Sequence, residues 1–139
     1  MKEIETLDPK MQPLISQLLM GAEIATGVTW VITSGRRTMK EQELLYAQGR
    51  TKKGNIVTNA KPGQSAHNFG MAADLAPLKD GKIWWTAPDS IWKQMSDIAK
   101  QIGLVSGYYF KSIHDAPHVE HPDWKFVQAA WRRGEVVIA

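Results

Sequence analysis

The sequence has 139 residues, the size of one domain, and no cysteine, which excludes a disulfide scaffold and any thiolate metal site. A transition metal in this chain therefore needs histidine and carboxylate ligands, and only four histidines are available. The net charge of +3 comes without a basic block or stripe, so we expect no nucleic-acid partner.

The first half of the chain predicts two helices and a strand. Asp8 and Pro9 are typical of a helix start, and apolar residues at helical spacing continue to Gly27. Alternation over residues 28–33 predicts a strand. Thr38 and Glu41 then form a capping box that opens a second helix, which we expect to end near residue 48.

The middle of the chain contains a long loop and a buried strand. Residues 50–66 are polar and rich in turn formers, and loops of this length are often functional. The apolar residues 71–76 predict a buried strand. Asp80 and Gly81 form a hairpin-type turn after it.

The last third of the chain predicts two further helices. One begins near residues 86–89 and ends at Gly103, and the other begins at Pro122 and Asp123. Residues 104–120 between them are aromatic and are predicted to be extended. Because helices and strands alternate without a regular βαβ rhythm, we predict an α+β fold with a small antiparallel sheet and flanking helices.

His67 and Asp74 form the first group of residues that suits chemistry. Their nitrogen and oxygen donors are of the kind that Zn²⁺ prefers. Asp74 lies inside the apolar run 71–76, and a buried carboxylate is costly unless it is paired or binds a metal. The alternative is an ordinary loop histidine and a capping or turn carboxylate.

A second group follows at Asp115, His118, Glu120 and His121. In an extended segment His118 and Glu120 share one face, and His121 points to the other. Pro117 forces a turn that can bring Asp115 to the side of His118. This is not the helical H-E-x-x-H motif, in which two histidines share a face. The alternative is a polar strand end.

The third group is Arg36 and Arg37, at the junction between a predicted strand and a capped helix. An arginine in this place can reach across a cleft to a developing negative charge. The alternative is a pair of arginines on the surface.

Together the three groups resemble the zinc peptidases that cut peptidoglycan stem peptides, a family with the VanX and VanY D-alanyl-D-alanine peptidases and many phage endolysins. Three family patterns are met in order. The pattern S-G-x-R-[ST]-x-x-x-Q is met at residues 34–42, S-x-H-x-x-G-x-A-x-D at residues 65–74, and G-x-x-[WF]-K-S-x-x-D-x-P-H-x-E at residues 107–120. The resemblance implies a fold like that of the hedgehog domain and the D-Ala-D-Ala peptidases.

The resemblance also implies a role for each matching residue. It implies Zn²⁺ held by His67, Asp74 and His118. It further implies Asp115 as the general base and Arg37 as the cation near the reacting carbonyl. Glu120 stays open as a competing base or as a residue that orients a metal ligand.

The expected function is hydrolysis of the L-alanyl-D-glutamate bond in the stem peptide, by a phage or prophage endolysin. A D-alanyl-D-alanine carboxypeptidase or dipeptidase shares the catalytic residues and is the nearest alternative. A non-catalytic zinc-binding domain is the other. We expect one catalytic domain over residues 1–139, without a separate wall-binding domain, that acts as a monomer.

The N-terminus has no basic region followed by an apolar run, so we expect no signal peptide. No stretch is apolar enough to predict membrane insertion. The expected location is the host cytoplasm until release, after which the enzyme acts on the wall.

Overall fold

An antiparallel sheet forms the framework of the computed structural model, which describes residues 2–138. Its strands are β1 (Trp30–Ser34), β2 (Ala72–Lys79), β3 (Lys82–Ile83), β4 (Val105–Ser106) and β5 (His118–Glu120). They lie in the order β1-β2-β5-β4, and β3 pairs with the far end of β2. The long strand β2 is therefore paired on both sides.

Helices flank this sheet. They are α1 (Lys2–Glu5), α2 (Gln12–Thr26), α3 (Met39–Ala47), α4 (Asp89–Ile102) and α5 (Trp124–Arg132). Two of them end at glycines in the left-handed conformation, as the sequence predicts for α2 and α4. The prediction of an α+β chain with an antiparallel sheet is confirmed.

The main core lies where α2 and α4 pack on each other beside the sheet. Ile15 and Leu18 of α2, Met95 and Ala99 of α4, and Leu75 of β2 are fully buried there. Each fully buried side chain of this size, alanine excepted, stabilises the fold by about 1.5–3 kcal/mol relative to an exposed one.

A second packing region holds the 3₁₀ helix Ala66–Phe69 against α5. The ring of Phe69 stacks on that of Trp124 with centroids 6.2 Å apart. Gly70 ends this short helix at a φ of 67°. A Cβ on Gly70 would lie 2.7 Å from the backbone nitrogen of Asp8, so both conformation and space favour glycine. The C-terminal end of this short helix is thus fixed in place.

The predicted start of the first long helix, at Asp8 and Pro9, is wrong. Asp8 instead caps a turn, because its Oδ1 accepts from the Lys10 N–H at 2.9 Å and its carbonyl accepts from the Met11 N–H at 2.8 Å. The helix begins only at Gln12. A short aspartate side chain stabilises such turns as readily as a helix start.

The expectation that residues 104–120 are extended is only partly right. Ser106 accepts a hydrogen bond from the Tyr108 N–H at 3.2 Å and begins a 3₁₀ helix, Gly107–Tyr109. Only the two short strands β4 and β5 are extended in this region. Other predicted boundaries move by one to three residues: β1 begins at Trp30, β2 runs from Ala72 to Lys79, and α5 begins at Trp124.

The capping box of α3 is confirmed and gives a stability prediction. Thr38 Oγ1 accepts from the Glu41 N–H at 3.1 Å, and Glu41 Oε1 accepts from the Thr38 N–H at 2.9 Å. We expect Thr38→Ala to lower the free energy of unfolding by about 1 kcal/mol. Chemical denaturation measures this, with Thr51→Ala at an exposed loop position as the control. Equal midpoints for the two variants would contradict the capping role.

Candidate metal centre

His67 is presented by the 3₁₀ helix that follows the long polar loop. Ser65 caps this helix, and its Oγ accepts from the His67 N–H at 3.3 Å. The ring is 2.9 Å from the Gly35 carbonyl oxygen through its Nδ1. Because a carbonyl oxygen only accepts, Nδ1 carries the proton and Nε2 is left available as a ligand.

Asp74 and His118 are brought together by strand pairing. They lie opposite each other where β2 pairs with β5. Side chains of directly opposed residues in antiparallel strands share one face and lie close. Val119, next to His118, points the other way into the core and is fully buried. The alternation that the sequence predicts for this segment is therefore confirmed.

The three side chains converge on a single carboxylate oxygen. Asp74 Oδ1 is 3.3 Å from His67 Nε2 and 3.4 Å from His118 Nδ1. One donor atom from each residue lies within 4.8 Å of the others. Two ligands about 2.1 Å from a tetrahedral zinc ion are themselves about 3.4 Å apart. The spacing of the carboxylate oxygen from each nitrogen thus suits a bound ion.

Burial also supports a cation-binding role for this cluster. His67 is 3% exposed and His118 is 8% exposed. Asp74 Oδ1 is buried and has no hydrogen-bond partner of acceptable geometry. Since a buried carboxylate oxygen without a partner is costly, a cation there would remove the cost. The donor set and the orphaned oxygen therefore fit a zinc ion.

Glu120 lies on the far side of the His118 ring. Its Oε1 is 2.6 Å from His118 Nε2, and its Oε2 accepts from the Trp124 indole N–H at 2.8 Å. Both oxygens are therefore engaged, and His118 has its Nδ1 turned toward Asp74. Carboxylates that hold the outer nitrogen of a metal-binding histidine fix the ring's orientation and tautomer.

The electrostatics of the cluster favour the binding of a positive ion. Burial alone would raise the pKa of the Asp74 carboxyl, but the polar contacts with His118 and His67 outweigh it and hold that pKa below its usual range. Burial alone would lower the pKa of His118, but the carboxylates of Asp74 and Glu120 raise it to about 9. Asp74 is thus anionic at neutral pH.

Asp115 lies at the mouth of the same cleft. The backbone joins it to the site, because the His118 N–H donates to the Asp115 carbonyl at 3.1 Å and the Asp115 N–H donates to the Gly107 carbonyl at 2.9 Å. A Cβ on Gly107 would overlap the Asp115 carbonyl oxygen, so glycine permits this close approach. Although Asp115 is exposed, partial desolvation raises the pKa of its carboxyl more than the nearby His118 lowers it.

Arg37 faces the cluster from the start of α3. Its Nη1 donates to Gln42 Oε1 at 2.9 Å, and Gln42 in turn donates to the Ala60 carbonyl at 2.7 Å. Burial lowers the pKa of the Arg37 guanidinium, while the carboxylates of Asp74, Glu41 and Asp115 oppose this shift. The guanidinium is charged at any ordinary pH. Gln42 is fully buried and holds the Arg37 side chain in place.

A cleft of about 320 Å³ joins these groups. Its floor is formed by His67, Asp74 and His118, and Arg37 and Asp115 stand on its walls. The five residues to which the resemblance gives a role as metal ligand, base or cation therefore line one cavity. Arg36 does not join them, because its guanidinium is 2.8 Å from the Thr6 carbonyl oxygen and serves the fold.

Some residues of the site carry no signal in the sequence. The Gly35 carbonyl that fixes the His67 ring acts through the backbone, which any residue type supplies. Val57 and Thr58 line the cleft from the long loop, whose polar composition predicts no particular contact. Trp124 donates to Glu120 across the short connection between β5 and α5, and no motif in the sequence marks this contact.

Comparison with known proteins gives a consistent picture. A family model described as VanY, D-alanyl-D-alanine carboxypeptidase, matches residues 5–128. The chain is 43% identical over 121 residues to the peptidoglycan L-alanyl-D-glutamate endopeptidase CwlK of Bacillus subtilis (strain 168), an alignment that covers 79% of this chain and 72% of CwlK.

Two solved structures share the fold at low sequence identity. The L-Ala D-Glu endopeptidase ChiX of Serratia marcescens has a TM-score of 0.63 and 16% identity, over 90% of this chain and 87% of ChiX. The D,D-pentapeptidase VanY of a VanB-type vancomycin resistance cassette, solved with Zn(II), has a TM-score of 0.60 and 16% identity, over 92% of this chain and 79% of that one.

The fold, the cluster of metal-binding side chains and the relatives together identify the protein as a metallopeptidase. It belongs to the VanY D-alanyl-D-alanine carboxypeptidase family, whose model covers nearly all of the described chain. The predicted resemblance and the D-Ala-D-Ala peptidase fold are both confirmed. Among residues 2–138, no helix is both long and apolar enough to cross a membrane.

Proposed function

We propose that this protein is a zinc-dependent endopeptidase that hydrolyses the L-alanyl-D-glutamate bond of peptidoglycan stem peptides. The observation that carries the proposal is the buried cluster of His67, Asp74 and His118 in a cleft shared with Asp115 and Arg37. The choice of bond is supported by the 43% identity to CwlK, which is named for that activity.

In this proposal the zinc ligands are His67 Nε2, Asp74 Oδ1 and His118 Nδ1. When bound, zinc supplies a Lewis acid that polarises a carbonyl and lowers the pKa of water toward neutrality. Three protein ligands leave one position open, which is the catalytic arrangement. Glu120 holds the His118 ring from its outer nitrogen and acts as a positioning residue rather than as the base.

Asp115 is the general base of the proposed reaction. Its carboxylate takes a proton from the attacking water and then delivers a proton to the leaving amine. The raised pKa of Asp115 moves it toward the working pH, where a base of this kind is most effective. Arg37, which lines the same cleft, donates to the oxygen that becomes negative as the carbonyl is attacked.

The proposed setting is a phage or prophage endolysin that works as a single-domain monomer. Its size and net charge of +3 suit an enzyme that diffuses into anionic wall material. Delivery of purified protein to the wall of permeabilised cells tests this setting by loss of turbidity. A protein that cuts purified peptidoglycan but lyses no cells would not be an endolysin.

Mass spectrometry of digested peptidoglycan tests the activity itself. We expect wild type to release fragments with a new L-Ala carboxylate and a new D-Glu amine, and to release none after chelation. Loss of only a terminal D-Ala would identify the carboxypeptidase for which the family is named. No cleavage by protein that holds one zinc per chain would favour a non-catalytic zinc domain.

Zinc binding is expected to release a proton at neutral pH. The pKa of His118 is raised from 6.5 to about 9, so the metal-free ring is charged at pH 7 and must lose its proton to bind zinc. Loss of the His118 proton alone should make the apparent zinc affinity rise about tenfold per pH unit between pH 7 and 9. In the metal-free protein the positive charge on His118 stabilises the folded state. This stabilisation is fully present below pH 6.5 and is lost as the pH rises through 9.

Isothermal titration calorimetry in buffers of different ionisation enthalpy measures this proton. At pH 7 the protons released should include about one from His118, and this contribution should disappear as the pH rises through 9. Zinc binding without buffer dependence at pH 7 would contradict the charged state of His118.

A further inference from the structure

A second depression of about 420 Å³ adjoins the metal cleft. Arg37 and Leu45 line both spaces, so together they form the partition between them. Lys52 and Lys53 also line it, and they belong to the same long loop whose later residue Val57 lines the metal cleft. We call this depression, from Arg37 to Lys53, the basic groove.

The charge of the basic groove is positive. Arg37, Lys52 and Lys53 face it, and the acid in its lining is Glu41. Hydrogen bonds with Thr38 lower the pKa of Glu41 and commit that carboxylate to the capping box. Within residues 2–138, Lys52 and Lys53 make no ion pair. Their charges are therefore available to a ligand.

The backbone that carries the two lysines is ordered by hydrogen bonds. The Lys52 N–H donates to the Ala47 carbonyl at 3.0 Å, and the Lys52 carbonyl accepts from the Gly49 N–H at 2.9 Å. Arg50 also stabilises the loop, because its Nη1 donates to the Thr58 carbonyl at 3.1 Å. A ligand that binds here meets a preformed turn and does not have to order it.

We propose that the basic groove binds free carboxylate groups on the D-glutamate side of the cleaved bond, and that Lys52 and Lys53 thereby determine specificity for acidic stem peptides. This inference rests on the proposed function. Charge decides which side of the cleaved bond the groove binds. L-alanine has no ionisable side chain. D-glutamate has a second carboxyl group, and it begins the segment of the stem peptide that ends in a free carboxylate. A positive groove beside the cleft thus complements the D-glutamate side.

Two peptides and two variants test the inference. The peptides span the L-Ala–D-Glu bond and differ only in whether carboxyl groups beyond the bond are free or amidated. The Lys52→Gln/Lys53→Gln double variant removes the groove charges. Lys10→Gln/Lys40→Gln is the matched control, since it changes net charge equally at exposed positions outside the groove.

We expect the groove variant to raise KM for the free-acid peptide by about threefold to tenfold, with kcat within a factor of two. KM for the amidated peptide should not change, and the control variant should match wild type on both. The effect should shrink in 1 M salt, because the charges are exposed and screened. Equal KM changes on both peptides, or none on either, would overturn the inference.

A binding measurement separates this inference from the proposed function. NMR titration with the free-acid and amidated fragments from the D-glutamate side needs no cleavage. Wild type should bind the free acid more tightly, and the groove variant should lose that preference. If neither full peptide is cut, the proposed function fails, while a charge-dependent preference among fragments still supports the groove. If the groove variant loses adsorption to intact wall but keeps both KM values, the lysines serve a wall polymer and the inference is wrong.

Discussion

Asp115→Asn is expected to lower kcat for stem-peptide hydrolysis by about 10²–10⁴-fold, the range typical for loss of a general base. The amide keeps the size and backbone bonds of the aspartate but cannot take a proton. Asp115 is outside the His67–Asp74–His118 cluster, so the variant should still bind one zinc ion per chain. Single-turnover kinetics together with metal analysis measure the two properties separately.

Glu120→Gln is the matched control for this experiment, because it also replaces one carboxylate near His118 by its amide. Glu120 holds the outer nitrogen of His118 and accepts from Trp124, so its loss should weaken zinc affinity by about 10–100-fold. At saturating zinc its kcat should stay far closer to wild type than that of Asp115→Asn. The reverse pattern would make Glu120 the base and Asp115 a supporting residue.

Local signals predicted much of the fold. The capping box at Thr38, the left-handed glycine at the end of α2 and the turn at Asp80 and Gly81 each depend on neighbouring residues, and each is found. The predicted start of α2 was wrong because the Asp8 side chain stabilises a turn that precedes the helix. Strand order is set by packing of distant segments, and spacing in a single chain does not determine it.

The candidate site could be predicted because its residues belong to ordered motifs. An ionisable residue in the apolar run of β2 was the strongest physical signal, and Asp74 is the residue on which both histidines converge. Residue spacing alone could not decide whether Asp115 or Glu120 is the base, because both are near His118 in the sequence. The structure separates them, because Glu120 contacts the outer nitrogen of the His118 ring and Asp115 lines the cleft.

Asp74→Asn is expected to abolish zinc binding at micromolar metal and with it the hydrolytic activity. The variant replaces the anionic ligand, which lies between two imidazoles, by a neutral amide of nearly the same size. Zinc that binds only the folded state stabilises wild type by about 4 kcal/mol at a thousandfold excess over Kd. We therefore expect added zinc to raise the Tm of wild type by several degrees and to leave that of Asp74→Asn unchanged.

Differential scanning calorimetry with and without zinc measures both proteins under the same conditions. Asp80→Asn is the control, since Asp80 lies at an exposed turn with a φ of 54°, a conformation that asparagine tolerates well. That control should keep the full zinc-dependent rise in Tm. Retention of both the rise and the activity by Asp74→Asn would show that the ion is held without the carboxylate. His67 and His118 would then need a different third ligand, and among the described residues of the cleft Asp115 is the remaining carboxylate able to supply it.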